Sequence, residues 1–333
     1  MLKIGVIGCG AIGREHIRRL TNLVPGAIVV ACCDYYRQSA EKAAALYGVE
    51  NIHDTAEELI AASEVEAVVI TSPDDTHAGY VLEGLKHDKQ IFCEKPLGLT
   101  AADCEKIIAA ETQHGKRLVQ VGFMRRYDRG YAEMKRIIDS GELGAPLMIH
   151  ACHRNVSQGE GFKTEMGITN VAIHELDICR WLLGDEYKAA QILKVRQSAR
   201  STRGFDNPQI VLLETKSGCR IDVEVQCADG YGYDIQCQVV CENGTINLPD
   251  PYAVVRRSNA CQSFPILTDW SQRFIEAYDI ELTDWVQAVL KGDLTGPSSW
   301  DGYAACVAAD ALNKSRGTGV FLEVKMIDKP SIY

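Results

Sequence analysis

The chain opens with Leu2-Lys-Ile-Gly-Val-Ile-Gly8-Cys-Gly10-Ala-Ile-Gly13, and this stretch decides the fold. Residues 2–7 form a short apolar run of strand type. A G-x-G-x-x-G turn follows it directly, and helical sequence continues from Gly13 to about Leu20. Between a strand and a helix, this turn is a dinucleotide-binding fingerprint. Gly8, Gly10 and Gly13 permit a tight turn and close backbone approach to a pyrophosphate, with Ala11 and Ile12 between them. The helix N-terminus then meets the pyrophosphate charge.

The alternation of strand and helix continues outward from that turn. Residues 28–33 are a second apolar strand, ended by Asp34. Asp34 lies near the spacing of about 20 residues expected for an acid that hydrogen-bonds the adenosine ribose. Its charge repels a 2′-phosphate, so NAD is expected rather than NADP, while Arg37 nearby favours a phosphate. An alanine-rich helix at 39–47 stops at Gly48, and Thr55-Ala-Glu-Glu58 has the pattern of a capping box. Strands at 67–70, 90–93 and 117–121 alternate with helices at 77–86 and beyond Thr100. Repeated βαβ units imply a parallel sheet with helices on both faces.

Ligands of such sheets bind at the C-terminal ends of the strands. Thr71-Ser72-Pro73 and Glu94-Lys95-Pro96 both fall there, and His77 starts the helix after the first of them. All are expected to line the cofactor groove, with His77 read equally as a packing residue at the start of its helix. Pro96 restricts Lys95 to extended backbone, which fixes where its ammonium points.

The pattern changes after Gly122. Strand-like segments at 146–152, 189–196, 209–215, 220–227, 235–241 and 245–248 come in series, several separated by turns such as Ser217-Gly218 and Glu242-Asn243-Gly244. Helices are expected near 131–139, 170–183, 273–290 and 300–315. The expected fold is therefore α/β. An N-terminal Rossmann domain with a parallel sheet (1–122) precedes an α+β domain with a large, mostly antiparallel open sheet (123–333). The second domain is expected to bind substrate and to carry the oligomer contacts.

Composition narrows the function. A net charge of −10 argues against a nucleic-acid surface. No apolar run approaches the roughly 20 residues that span a bilayer. The N-terminus enters a strand at once, without a signal-peptide pattern, so a cytoplasmic protein is expected. Thirteen cysteines, mostly in apolar runs, read as buried reduced thiols. Cys237 and Cys241 share a strand face, but further zinc ligands at suitable spacing are lacking, so no metal is expected.

The glycine turn, the E-K-P motif at Glu94-Lys95-Pro96 and the H-E-x-D helix at His174 together resemble the Gfo/Idh/MocA oxidoreductases along the whole chain. Residues 121–128, 147–155, 231–237 and 300–303 are similar to the inositol-oxidising bacterial members. That resemblance implies NAD-dependent oxidation of a secondary alcohol of inositol (myo-inositol to 2-keto-inositol) or a closely related cyclic polyol. It implies that Lys95 contacts cofactor and substrate and that His174 is the general base. Met124 and Arg125 would lie near the nicotinamide and the polyol, with His153, Asn155 and Tyr233 lining the sugar pocket. It also implies a homotetramer. The chemistry is consistent: oxidation of a carbinol needs a base for the hydroxyl proton while carbon loses hydride, and a cation can stabilise the developing alkoxide.

One position departs from the pattern. The inositol-oxidising members carry an aspartate one helical turn before the histidine, where this chain has Asn170. An amide still bonds a hydroxyl but brings no charge. Three explanations of Asn170 follow: a related polyol as substrate, slower turnover with the amide as a neutral stand-in, or a residue changed by engineering. The alternative functions are a dehydrogenase of another sugar of the same family or a weakened cofactor-binding sensor. Asp177, three residues beyond His174, is a second candidate to orient the imidazole.

Overall fold

The computed structural model describes residues 1–159, 161–201, 204–251 and 254–333. In the first unit β1 (Leu2–Ile7), α1 (Ala11–Asn22), β2 (Ala27–Cys33), α2 (Arg37–Tyr47), β3 (Asn51–Ile52), α3 (Ala56–Ala61), β4 (Ala67–Ile70), α4 (His77–Lys86), β5 (Gln90–Glu94), α5 (Ala101–Gln113) and β6 (Val119–Gly122) alternate as the sequence predicts. The six strands form one parallel sheet in the order β3-β2-β1-β4-β5-β6. Strand β4 is buried along its whole length and β5 along all but its first residue, as a sheet covered on both faces requires. The chain runs outward from β1 to β3 and then returns to β4 on the other side. That reversal opens a crevice at the carboxyl ends of β1 and β4. Local signals behave as read: Thr55 and Thr100 cap α3 and α5, and Gly48 ends α2 with a left-handed φ of 72°.

The second unit continues with α6 (Arg129–Ser140), β7 (Pro146–Arg154) and a π-helical turn, Gly167–Ala172, that runs straight into α7 (Ile173–Leu183). Then come β8 (Tyr187–Lys194), β9 (Gln209–Thr215), β10 (Arg220–Gln226), β11 (Asp234–Cys241) and β12 (Gly244–Asn247). A small exposed hairpin, β13 (Arg256–Ser258) and β14 (Cys261–Ser263), follows, with α8 (Trp270–Arg273), α9 (Ile275–Lys291), α10 (Ser299–Ser315) and β15 (Leu322–Glu323). The seven-stranded sheet has the order β12-β11-β7-β10-β9-β8-β15. Its pairs are antiparallel except β7 with β10. Residues alternate along β10, with Ile221, Val223 and Val225 buried and Asp222 and Glu224 on the more open face. The first of these faces packs under α7 and the π-helical turn. Twelve of the thirteen cysteines are buried, and only Cys261 is exposed.

The units are not consecutive along the chain. The first comprises residues 1–124, 278–306 and 326–333, and the second 125–277 and 307–325. A single division at residue 122 must therefore be corrected. Leu282, Trp285 and Val286 on α9 join the core formed by β1, β2, β4 and α1, and the Trp285 ring stands 5.5 Å from Phe92 of β5. The apolar face of α9 was legible; which sheet it covers is a tertiary choice that a helical period does not encode.

Candidate active site

Helix α1 starts at Ala11 with Gly10 as its N-cap, and it has no side-chain cap and no acid in its first turn. Its leading N–H groups are therefore left for an external anion. Gly8 has φ +94°, and a Cβ there would stand 2.7 Å from the Ser72 nitrogen. A Cβ on Gly13 would stand 2.0 Å from the Gly8 oxygen. A Cβ on Gly10 would meet nothing within 4 Å. The outer glycines thus press the turn against the end of β4, while the middle one, with exposed Ala11 and half-buried Ile12, faces open space. A dinucleotide pyrophosphate fits this cradle.

Asp34 sits beside the turn. Its Oδ2 accepts the Cys9 N–H at 2.7 Å and its Oδ1 accepts the Tyr36 N–H at 2.8 Å. It therefore shapes the loop that follows β2 and braces the glycine turn. Arg37 pairs with Glu41 and Asp54, so its charge is already matched by carboxylates rather than offered to a 2′-phosphate.

The expected groove residues divide into those that present themselves and those that brace. The Thr71 hydroxyl is buried against the Ile7 and Gly8 carbonyls at 3.0 and 2.7 Å, so it supports the glycine turn instead of lining the groove. Ser72 shares a 2.6 Å hydroxyl pair with Thr76, and Pro73 is exposed. His77 is 1% exposed, with Nδ1 2.7 Å from the Pro96 oxygen and Nε2 2.9 Å from the Ser72 oxygen. Both ring nitrogens are engaged by the protein, as the packing reading of this helix-start residue requires. Glu94 is likewise buried: Oε1 lies 2.8 Å from His16 Nε2, and Oε2 accepts the Lys95 N–H at 3.2 Å. Burial pushes the Glu94 carboxyl up, but the hydrogen bond and charge of His16 and the charge of Lys95 outweigh it and hold the group below the usual range. Glu94 thus anchors the E-K-P segment to α1. Lys95 itself is half-exposed, and Met124 is buried.

In the second unit the two consecutive arginines find two acids of the H-E-x-D helix. Arg125, 1% exposed, pairs through Nη1 with Glu175. Its Nη2 lies 3.1 Å from His153 Nδ1, which in turn is 2.9 Å from Glu175 Oε2. Phe274 stacks under the guanidinium at 5.5 Å. Arg126 donates to both oxygens of Asp177. Arg125 is thus a buried cation matched by Glu175, and Asp177 is paired with Arg126. Burial pushes the Glu175 carboxyl up, yet Arg125 and His153 bring it below the usual range. Burial likewise raises the Tyr233 phenol.

His174 lies in the first turn of α7, with its ring 6.1 Å from His153, whose ring stands 5.7 Å edge-on to Tyr233. Asn170 is half-buried in the π-helical turn just before it, and Asn155 is half-buried one residue past β7. The structure brings His153, His174 and Tyr233 into one aromatic row. Two residues that sequence reasoning passed over, Glu175 and His16, hold it and the E-K-P segment in place. Glu175 had a signal in the H-E-x-D string; His16, inside a helix of ordinary pattern, had none.

Residues 2–123 match the model of an oxidoreductase family with an NAD-binding Rossmann fold, and residues 131–247 match the GFO/IDH/MocA C-terminal domain. The chain belongs to the Gfo/Idh/MocA oxidoreductase family and is an NAD-dependent oxidoreductase. It is 52% identical over 333 residues to the inositol 2-dehydrogenase of Burkholderia cenocepacia (strain HI2424), covering all of this chain and 99% of that protein. It is 51% identical to that of Klebsiella pneumoniae subsp. pneumoniae, at the same coverage. Among solved structures, the myo-inositol dehydrogenase of Lactobacillus casei in complex with NAD(H) and myo-inositol superposes with a TM-score of 0.96 at 39% identity, covering 100% of this chain and 99% of that one.

Proposed function

We propose that this enzyme oxidises a secondary hydroxyl of inositol, taking myo-inositol to 2-keto-inositol. The observation that carries this reading is the full-length similarity to the Lactobacillus casei enzyme solved with NAD(H) and myo-inositol. NAD⁺, when bound, supplies the hydride acceptor. His174 takes the hydroxyl proton, a task suited to an imidazole with a reference pKa near ~6.5. The Lys95 ammonium stabilises the alkoxide as it develops. Asn155, Asn170 and Tyr233 offer hydrogen bonds to the remaining hydroxyls, and His153 completes the polar lining.

The test is reduced-nicotinamide absorbance across inositol isomers and simple hexoses, with NAD⁺ and NADP⁺ in parallel. Turnover of myo-inositol with NAD⁺ is expected. Turnover confined to another polyol would reassign the substrate, and no turnover of any would favour the sensor reading that Asn170 raises. Lys95→Ala and His174→Ala should each lower oxidation by about 10²-fold or more. Near-parent rates would remove those roles.

We further propose a cytoplasmic homotetramer joined through the open face of the seven-stranded sheet. That face carries matched pairs such as His150 with Asp222 and Arg154 with Glu224, beside exposed Met148. Light scattering on size-exclusion fractions measures the assembly.

A further inference from the structure

We infer that His16 and His77 are positioning residues that clamp Lys95 through its two chain neighbours. The inference rests on the catalytic reading of Lys95. On the N-terminal side, the Glu94 carboxylate is tied to His16 on α1 at 2.8 Å, and it turns its second oxygen back to the Lys95 N–H. It also fills the space over Gly122, where a Cβ would lie 3.1 Å from the carboxylate. On the C-terminal side, the Pro96 carbonyl is tied to His77 Nδ1 at 2.7 Å. The other ring nitrogen of His77 bonds the Ser72 carbonyl at 2.9 Å, linking the E-K-P segment to the end of β4. In either neutral tautomer one carbonyl receives a ring N–H, and the imidazolium serves both.

The consequence is geometric. Lysine carries a long, rotamer-rich side chain whose ordering costs free energy. A backbone fixed at residues 94 and 96 leaves only the side chain of residue 95 to be ordered by substrate. His16, buried completely between Phe92 and Tyr278, holds this arrangement from a helix that begins at the glycine turn. His77 holds it from the first residue of α4. Both histidines therefore connect the cofactor cradle to the catalytic lysine from buried positions. Misplacing a reacting group by about 1 Å commonly costs as much as 10²-fold in rate.

The test is a pair of double-mutant cycles, with thermal midpoint, NADH affinity by fluorescence titration and Lys95 acylation by an amine-reactive ester as readouts beside turnover. His77→Asn keeps an amide where Nδ1 meets Pro96, while His77→Gln keeps one where Nε2 meets Ser72. The clamp requires His77→Asn to retain more turnover than His77→Gln, because only Pro96 adjoins Lys95. His77→Gln and His16→Leu should each lower turnover about tenfold and speed Lys95 acylation in the absence of substrate. In a Lys95→Ala background the same substitutions should change the residual rate less than about twofold, since their route through Lys95 is gone. Equal factors in both backgrounds, or unchanged acylation, would overturn the clamp while leaving Lys95 catalytic. A Lys95→Ala enzyme with parent turnover would overturn the reading of Lys95 itself. If His16→Leu folds poorly, His16→Gln, which keeps a donor to Glu94, must recover both midpoint and turnover.

Discussion

Asn170 is the residue at which chemistry and resemblance part. The π-helical turn that carries it gives way to α7 at Ile173, one residue before His174, so the pair still stands about one turn apart. An aspartate there would place a negative charge near the imidazole and favour its protonated form. Asn170→Asp should therefore raise inositol turnover; steady-state kinetics that show equal or lower turnover would reject the idea. Residue identity alone was less informative at Arg125. Its burial and its partner Glu175, 50 positions along the chain, fix the guanidinium in place. The same holds for Glu94, at a strand end, and His77, at a helix start: only their partners show how each is held.

At the scale of elements, the glycine turn was legible because its geometry is local. The three glycines nevertheless do different work, and the difference is measurable. Gly13→Ala forces a Cβ to 2.0 Å from the Gly8 carbonyl, a backbone contact that cannot rotate away. It should cost about 1–3 kcal/mol of stability and weaken NAD binding with it. Gly10→Ala places its methyl in open space, so it should leave the thermal midpoint near the parent's while still lowering NAD affinity. Calorimetry for both variants, with and without NAD⁺, checks the split; equal midpoint losses would contradict it. Helix α9 shows the opposite limit. Its period predicted a helix near 273–290, but its place against the parallel sheet depends on Trp285 meeting Phe92, a contact between distant segments.

For the molecule as a whole, each unit includes a buried carboxylate whose charge is matched by neighbouring cations, Glu94 in the first and Glu175 in the second. Both are held below the usual carboxylate range despite burial, Glu94 by His16 and Lys95, and Glu175 by Arg125 and His153. A carboxyl with a lowered folded value binds fewer protons folded than unfolded, so stability rises with pH through that range. The contribution is complete above the unfolded value near about pH 4–5 and is lost as the pH falls below it toward the folded one. Acid should therefore loosen both units together. Glu175→Gln separates their shares. At neutral pH it leaves Arg125 buried beside a neutral amide, and breaking such a pair typically costs about 3–5 kcal/mol. As the pH falls through the carboxylate range, the parent loses the same interaction by protonation, so the two midpoints should converge. A constant gap between parent and variant across that range would show that Glu175 keeps its charge in acid, or that the loss at neutral pH comes from packing rather than from the ion pair.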